Sequence, residues 1–189
     1  AETEHQSVLG TMGEWPKLRV RLIKVGRDGA IDRDHLARLL GDRPGRALLS
    51  VQMANNETGV LHDVAALARL ARDDGLATHT DAVQALGKMS VDFDRLGVDY
   101  MSLSAHKIGG PKGIGALIIR SGAALPALIG GGGQERRRRA GTENVAGIAG
   151  FGAAAEAAGR ELAAFAGISH LREGLEREIK RATPGAMIV

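Results

Sequence analysis

Apolar and polar residues alternate over residues 18–25 (LRVRLIKV), the period of a half-buried strand. The turn Gly26-Arg27-Asp28-Gly29 follows, and a helix opens near Asp32 with Leu36, Leu39 and Leu40 on one face. Residues 47–53 (ALLSVQM) form a short apolar run that predicts a buried strand. Beyond the polar loop Asn55-Asn56-Glu57-Thr58-Gly59, Asp63 stands where a helix N-cap belongs, because Val64, Leu67, Ala68 and Ala71 keep helical spacing until Gly75. Residues 76–80 predict a short strand that delivers Asp81 at its end. Two more strands are expected over 99–103 and 114–120, separated by the polar, glycine-rich segment SAHKIGGPKG. From about Thr142 onward the pattern is alanine-rich and helical, and residues 170–181 predict a second, amphipathic helix.

Strands that alternate with helices predict an α/β fold, an open and mostly parallel sheet flanked by helices. In such sheets ligands sit beyond the carboxyl ends of the strands, and Asp81, Ser104, His106 and Lys107 all fall just past such ends. A carboxylate at one strand end and a lysine at the next, with serine and histidine before the lysine, is the set that a pyridoxal phosphate site requires. The lysine forms an imine with the aldehyde, and the carboxylate keeps the pyridine nitrogen protonated so that the ring accepts electrons. Spacing alone leaves other roles open. Asp81 also suits a helix cap for AVQAL, Lys107 a solvated loop, and Lys112 is a rival imine lysine inside a GGPKG turn.

The composition narrows the classes. The chain has 189 residues, 44% hydrophobic and 25% charged, which is ordinary for a globular domain with one sizeable core. No window approaches the roughly 20 apolar residues of a membrane-spanning helix. The first residues, AETEHQSVLG, are acidic and polar, unlike a secretory signal, so a cytoplasmic location is expected. With no cysteine, the chain carries neither disulfides nor thiolate metal ligands nor a cysteine nucleophile. The formal charge is only +3, much of the excess sits in Arg136, Arg137, Arg138 and Arg139, and five aromatics leave little for stacking bases, so nucleic acid is not an expected partner. GGPKGIG lacks the spacing and the Ser/Thr of a phosphate-binding P-loop.

Four motifs in order, MANNETG, HTDAVQALGK, DYMSLSAHKIGGPKGIGALIIR and GGGQERRRRAGTENV, resemble the cysteine desulfurases of the class V aminotransferase-like family. The resemblance runs from the first residues to about residue 150. It implies the large domain of a fold type I enzyme that uses pyridoxal 5'-phosphate. Residues 1–150 would be the central part of that domain, and 151–189 a helical segment leading toward a small C-terminal domain. Selenocysteine lyases and the desulfurases of sulfur-mobilising operons share much of the signature; a selenocysteine lyase or another class V cofactor enzyme is the alternative within the fold, and an arginine-rich nucleic-acid-binding module the alternative outside it.

Residue by residue, the resemblance implies that Lys107 carries the imine and Asp81 partners the pyridine nitrogen. Gln84 would hydrogen-bond the phenolic oxygen of the ring, and Asn56 would lie beside that oxygen and the substrate. Ser104 and His106 would hold the phosphate. Thr142, in RAGTEN, would reach the phosphate of the neighbouring subunit of a homodimer. His5, in TEHQSV, would stack on the ring and take part in acid/base steps, for which an imidazole is suited near pH 7. His35, His62, His79 and His170 match no family role and are expected to be structural or surface residues.

The family also carries an N-terminal glycine and threonine turn, a cysteine nucleophile and a substrate-binding arginine that this sequence lacks. The expectation is therefore a central cofactor-binding part of a longer enzyme, inactive by itself. In the parent enzyme the resemblance implies that L-cysteine would displace Lys107 and lose its α-proton to the freed lysine. Its sulfur would pass to the family cysteine as a persulfide and then to an iron-sulfur scaffold or another acceptor, with alanine released.

Overall fold

The computed structural model describes residues 1–14, 18–42 and 45–188. In chain order the elements are α1 (Gln6–Gly13), α2 (Arg33–Gly41), β1 (Leu48–Ser50), α3 (Val64–Asp73), β2 (Ala77–Asp81), α4 (Phe93–Leu96), β3 (Tyr100–Ser104), a 3₁₀ turn (Ala105–Ile108), β4 (Gly115–Ile119), α5 (Gln134–Arg137), α6 (Val145–Ala166) and α7 (Ile168–Ala182). The strands form one sheet in the order β1-β2-β3-β4. The first three run parallel and β4 is antiparallel to β3. The reversal follows from the connection: a parallel return needs a crossover of about a dozen residues or more, and the segment after β3 holds only a single 3₁₀ turn and glycine turns.

The helix starts follow local chemistry. Asp32 accepts the amide of His35 at 2.8 Å and Asp63 that of Ala66 at 3.0 Å, so each aspartate satisfies an amide left unpaired in the first turn. α3 then serves two apolar clusters. Its Leu67 and Ala71 join Ile23, Leu36, Leu40, Leu49 and Val51, while Val64 and Ala68 join Met53, Ala82, Ala85, Val98 and Met101. One helix thus packs on a single sheet face and joins both clusters.

Parallel pairing continues beyond β1, as Val51 N donates to His79 O at 3.1 Å and Met53 N to Asp81 O at 2.8 Å. The backbone of Asp81 is therefore held on the β1 side, and Ala82 N donates to Ser102 O at 3.1 Å on the β3 side.

Residues 18–25 depart from expectation. They are not a strand, and only Val25 makes a bridge, to Ile31. The alternating set Leu18, Val20 and Leu22 is exposed, whereas Ile23, out of phase with it, is buried in the first cluster. Alternation supplies a face but not a neighbouring strand to pair with. At the other end α6 runs without a break through residue 150.

Candidate cofactor site

β2 places Asp81 at its last position, and the turn that follows carries Gln84. Asp81 Oδ1 accepts the amide of Val83 at 2.9 Å, so the local capping role is present, and the carboxylate remains half-exposed at the strand end. Ser102 is its register partner on β3. Two residues further along β3 comes Ser104, whose Oγ lies 2.8 Å from His106 Nδ1. The 3₁₀ turn then presents His106 and Lys107, both exposed, and Gly109 closes it with φ 81°, a backbone that favours glycine. The Lys107 ammonium has no hydrogen bond or ion pair with another described residue. An exposed, unpaired amine flanked by hydroxyl and imidazole donors and by a carboxylate at the adjacent strand end is the donor set that a phosphorylated pyridine aldehyde requires, so the residues fit that cofactor.

Gln84 is oriented by a neighbour that the sequence left unassigned. Lys88 Nζ donates to Gln84 O and to Gln84 Oε1, each at 3.1 Å. Burial, and secondarily the charge of Lys107, hold the Lys88 ammonium below its ordinary range, which places the two lysines within electrostatic reach. The HTDAVQALGK motif contains Lys88, and an i, i+4 spacing from Gln84 was the signal available.

His79, expected to be structural or at the surface, is half-buried and structural, with Nδ1 2.8 Å from Ser50 Oγ and Nε2 2.8 Å from Ser102 Oγ. It shares a strand face with Asp81, and burial lowers its pKa against the opposing pull of the Asp81 charge.

The segment before α1 is pinned to the loop after β1. Thr3 O accepts Gln52 Nε2 at 2.6 Å and Asn55 Nδ2 at 3.0 Å, while Glu4 Oε1 accepts Gln52 N at 2.8 Å. Glu4 is buried, its Oε2 has no partner, and desolvation leads the causes that raise its pKa. His5 follows directly and is exposed. Its Nδ1 accepts Ser7 N at 3.2 Å and lies 2.8 Å from Ser7 Oγ, so the ring caps α1. An amide can only donate, so Nδ1 is the unprotonated nitrogen and the neutral ring carries its proton on Nε2.

Of the two adjacent asparagines, Asn55 is buried and structural, accepting Glu57 N and Thr58 N at 2.8 Å. Asn56 is exposed and donates to its neighbour Glu57. Thr142 lies apart from these residues in sequence, just before α6. It is exposed and hydrogen-bonds no other described residue. α6 packs on the loop after β3, with Gly150 against Pro111 and Ala154 against Gly110. Upstream, Glu135, Arg136 and Arg137 have φ of 49°, 54° and 65°, so the short segment α5 is a left-handed turn and no regular helix; Arg136, Arg137 and Arg139 are exposed and Arg138 is half-buried.

Residues 1–180 match the family model described as aminotransferase class-V. The chain belongs to the aminotransferase class-V family. This class-V chain is 43% identical over 171 residues to a cysteine desulfurase of Klebsiella pneumoniae, covering 90% of the chain and 43% of that protein. It is 40% identical over 201 residues to the cysteine desulfurase NifS of Azotobacter vinelandii, covering 100% of the chain and 50% of that protein. The solved structure of a NifS-like protein from Rickettsia africae ESF-5 superimposes with a TM-score of 0.90 at 37% identity, over 95% of this chain and 50% of that one. The class-V chain thus spans about half the length of the relatives it matches. Among the described residues no helix is long and apolar enough to cross a membrane.

Proposed function

We propose that this chain is the cofactor-binding part of a cysteine desulfurase, which takes sulfur from L-cysteine, releases L-alanine and passes the sulfur on as a persulfide. The observation that carries the reading is the unpaired amine of Lys107 beside Ser104 and His106, with Asp81 at the adjacent strand end. Similarity to curated cysteine desulfurases supports the choice of substrate.

Pyridoxal phosphate, when bound, supplies an electron sink that accepts the charge left at the substrate α-carbon. The chain's own residues do the rest. Ser104 and His106 would hold the phosphate, and Asp81 would accept the N–H of the pyridine, its negative charge favouring the protonated ring. Gln84 would donate its amide to the phenolic oxygen, with Asn56 beside it. Lys107 would hold the aldehyde carbon, and its amine, when free, would be the base that takes the substrate α-proton. His5 offers Nε2 for proton exchange because its other nitrogen is committed to the Ser7 amide. Thr142 serves the phosphate of a second copy in a homodimer, the protein acts in the cytoplasm, and an iron-sulfur scaffold or another acceptor receives the sulfur.

The test is an absorption spectrum of the whole protein with pyridoxal phosphate, borohydride reduction of one portion, and, on an unreduced portion, a sulfide assay with L-cysteine and a dithiol reductant. A visible band removed by borohydride, together with sulfide release, is the expected result. A protein that reduces to no cofactor-bearing peptide overturns the cofactor reading, and one that binds cofactor yet leaves cysteine untouched overturns the substrate.

A further inference from the structure

Gln84 has two hydrogen-bonding ends on its amide, and the structure commits one of them. Lys88 stands one helical turn further along, where the backbone from Ala82 to Met89 folds into successive turns. An ammonium has three donors and no acceptor, so it faces only oxygen. Its contacts are the backbone O and the Oε1 of Gln84, both at 3.1 Å. The amide can therefore not be reversed without setting its NH₂ against a cation. Nε2 is the end that remains, and it donates to no other described residue.

We propose that Lys88 is a positioning residue that locks the Gln84 amide with its NH₂ end free, so that Gln84 can meet a ligand only through an acceptor such as the phenolic oxygen of a pyridine cofactor. This rests on the cofactor reading above and deepens it. Lys88 acts through Gln84 and touches no ligand itself. A neutral residue at this position releases the amide to rotate, which costs orientation at the phenolic oxygen before any substrate arrives. Lys107 is the charged group that acts on Lys88, so a direct effect of the Lys88 charge on the Lys107 amine is the competing account.

The experiment measures two quantities on the whole protein loaded with pyridoxal phosphate: the cofactor dissociation constant and the pH midpoint of its absorption band. The variants are Lys88→Met, which keeps the stem and removes the donors, Lys88→Gln as a second neutral side chain, and Lys88→Arg, which keeps donors and charge. Each is made alone and with Gln84→Ala. The neutral variants should weaken cofactor binding about fivefold, the worth of one lost orienting hydrogen bond. They should also move the midpoint in the direction Gln84→Ala moves it. Lys88→Arg should restore most of both, and in the Gln84→Ala background the neutral variants should add nothing. Neutral variants that match the wild type on both readouts overturn the proposal. So does a full effect in the Gln84→Ala background, which would assign Lys88 to the charge of Lys107 instead. Failure of borohydride to fix any cofactor on the wild type overturns the cofactor reading and this assignment with it, whereas a labelled wild type with silent Lys88 variants overturns this assignment alone.

Discussion

His79 Nε2 lies 2.8 Å from the hydroxyl oxygen of Ser102, the residue paired in register with Asp81. The other ring nitrogen lies 2.8 Å from Ser50 Oγ, so a single imidazole ties β1, β2 and β3 together on the face that carries the Asp81 carboxylate. A neutral ring suits both contacts, since it donates through one nitrogen and accepts through the other while each hydroxyl rotates to match.

Acid should therefore loosen this face. Burial lowers the folded-state pKa of His79 and of His62 below the ordinary 6.5, whereas the unfolded chain protonates near that value. Between the folded and the unfolded pKa the unfolded state binds more protons, so stability is fully present above about pH 6.5 and declines as pH falls through it. Thermal unfolding followed from pH 7.5 to 5.5 should show a falling midpoint, and His79→Gln should flatten part of that slope. An unchanged slope in the variant would mean that His79 does not contribute to it.

Lys107 should carry the borohydride-fixed cofactor. Lys112 is also exposed, but it sits in the turn beyond the 3₁₀ segment, whereas Lys107 directly follows the Ser104–His106 pair. Peptide mapping after reduction distinguishes them, and a label on Lys112 would reverse the assignment.

Asp81→Asn should leave the fold intact, because an asparagine Oδ1 still accepts the Val83 amide. The charge that favours a protonated pyridine is lost. Turnover with L-cysteine should fall about a hundredfold or more while cofactor affinity changes much less. Equal turnover in the variant would leave Asp81 with only its capping role.

Two glycines separate backbone strain from packing. Gly87 has φ 75°, and a Cβ there would come within 2.9 Å of Ile108 Cγ2 and 3.1 Å of Ala158 Cβ, between the lysine-bearing turn and α6. Gly109 has φ 81° with nothing within 4 Å of that position. Gly109→Ala should cost about 1 kcal/mol of strain, and Gly87→Ala about 1–3 kcal/mol more because Ile108 or α6 must move. Denaturant unfolding gives both values. Equal costs would mean that α6 yields freely at Gly87.

What the sequence made legible was local. Asp32 and Asp63 were readable as caps because an aspartate and the amide it accepts lie three residues apart, and the strand-end placement of Asp81, Ser104 and Lys107 was readable because short strands end where polar residues begin. The bridge from Ser50 through His79 to Ser102 was not readable, since it depends on the register of three strands that no single segment encodes. Residues 18–25 failed for a related reason: a strand pattern becomes a strand only if a partner edge is adjacent. Lys88 lay within reach of sequence reasoning, but choosing it required knowing that the segment after Asp81 turns tightly enough to bring it back onto Gln84.

Thr142 is exposed without a hydrogen bond to any described residue, and it follows a left-handed turn at Glu135, Arg136 and Arg137, where each residue costs roughly 1 kcal/mol or more of strain. Strain of that kind persists when surrounding contacts over-determine it, and a second copy of the chain would supply them across a two-fold axis. Each site would then combine Lys107 of one subunit with Thr142 of the other. Mixing whole protein carrying Lys107→Ala with whole protein carrying Thr142→Ala tests this directly. In a shared site the heterodimer gathers both lesions in one site and leaves the other intact, so random exchange should restore about a quarter of the wild-type activity. If Thr142 serves its own subunit, every site in the mixture retains a lesion. Absence of recovery after subunit exchange verified by mass spectrometry would then place Thr142 in cis and end the shared-site reading.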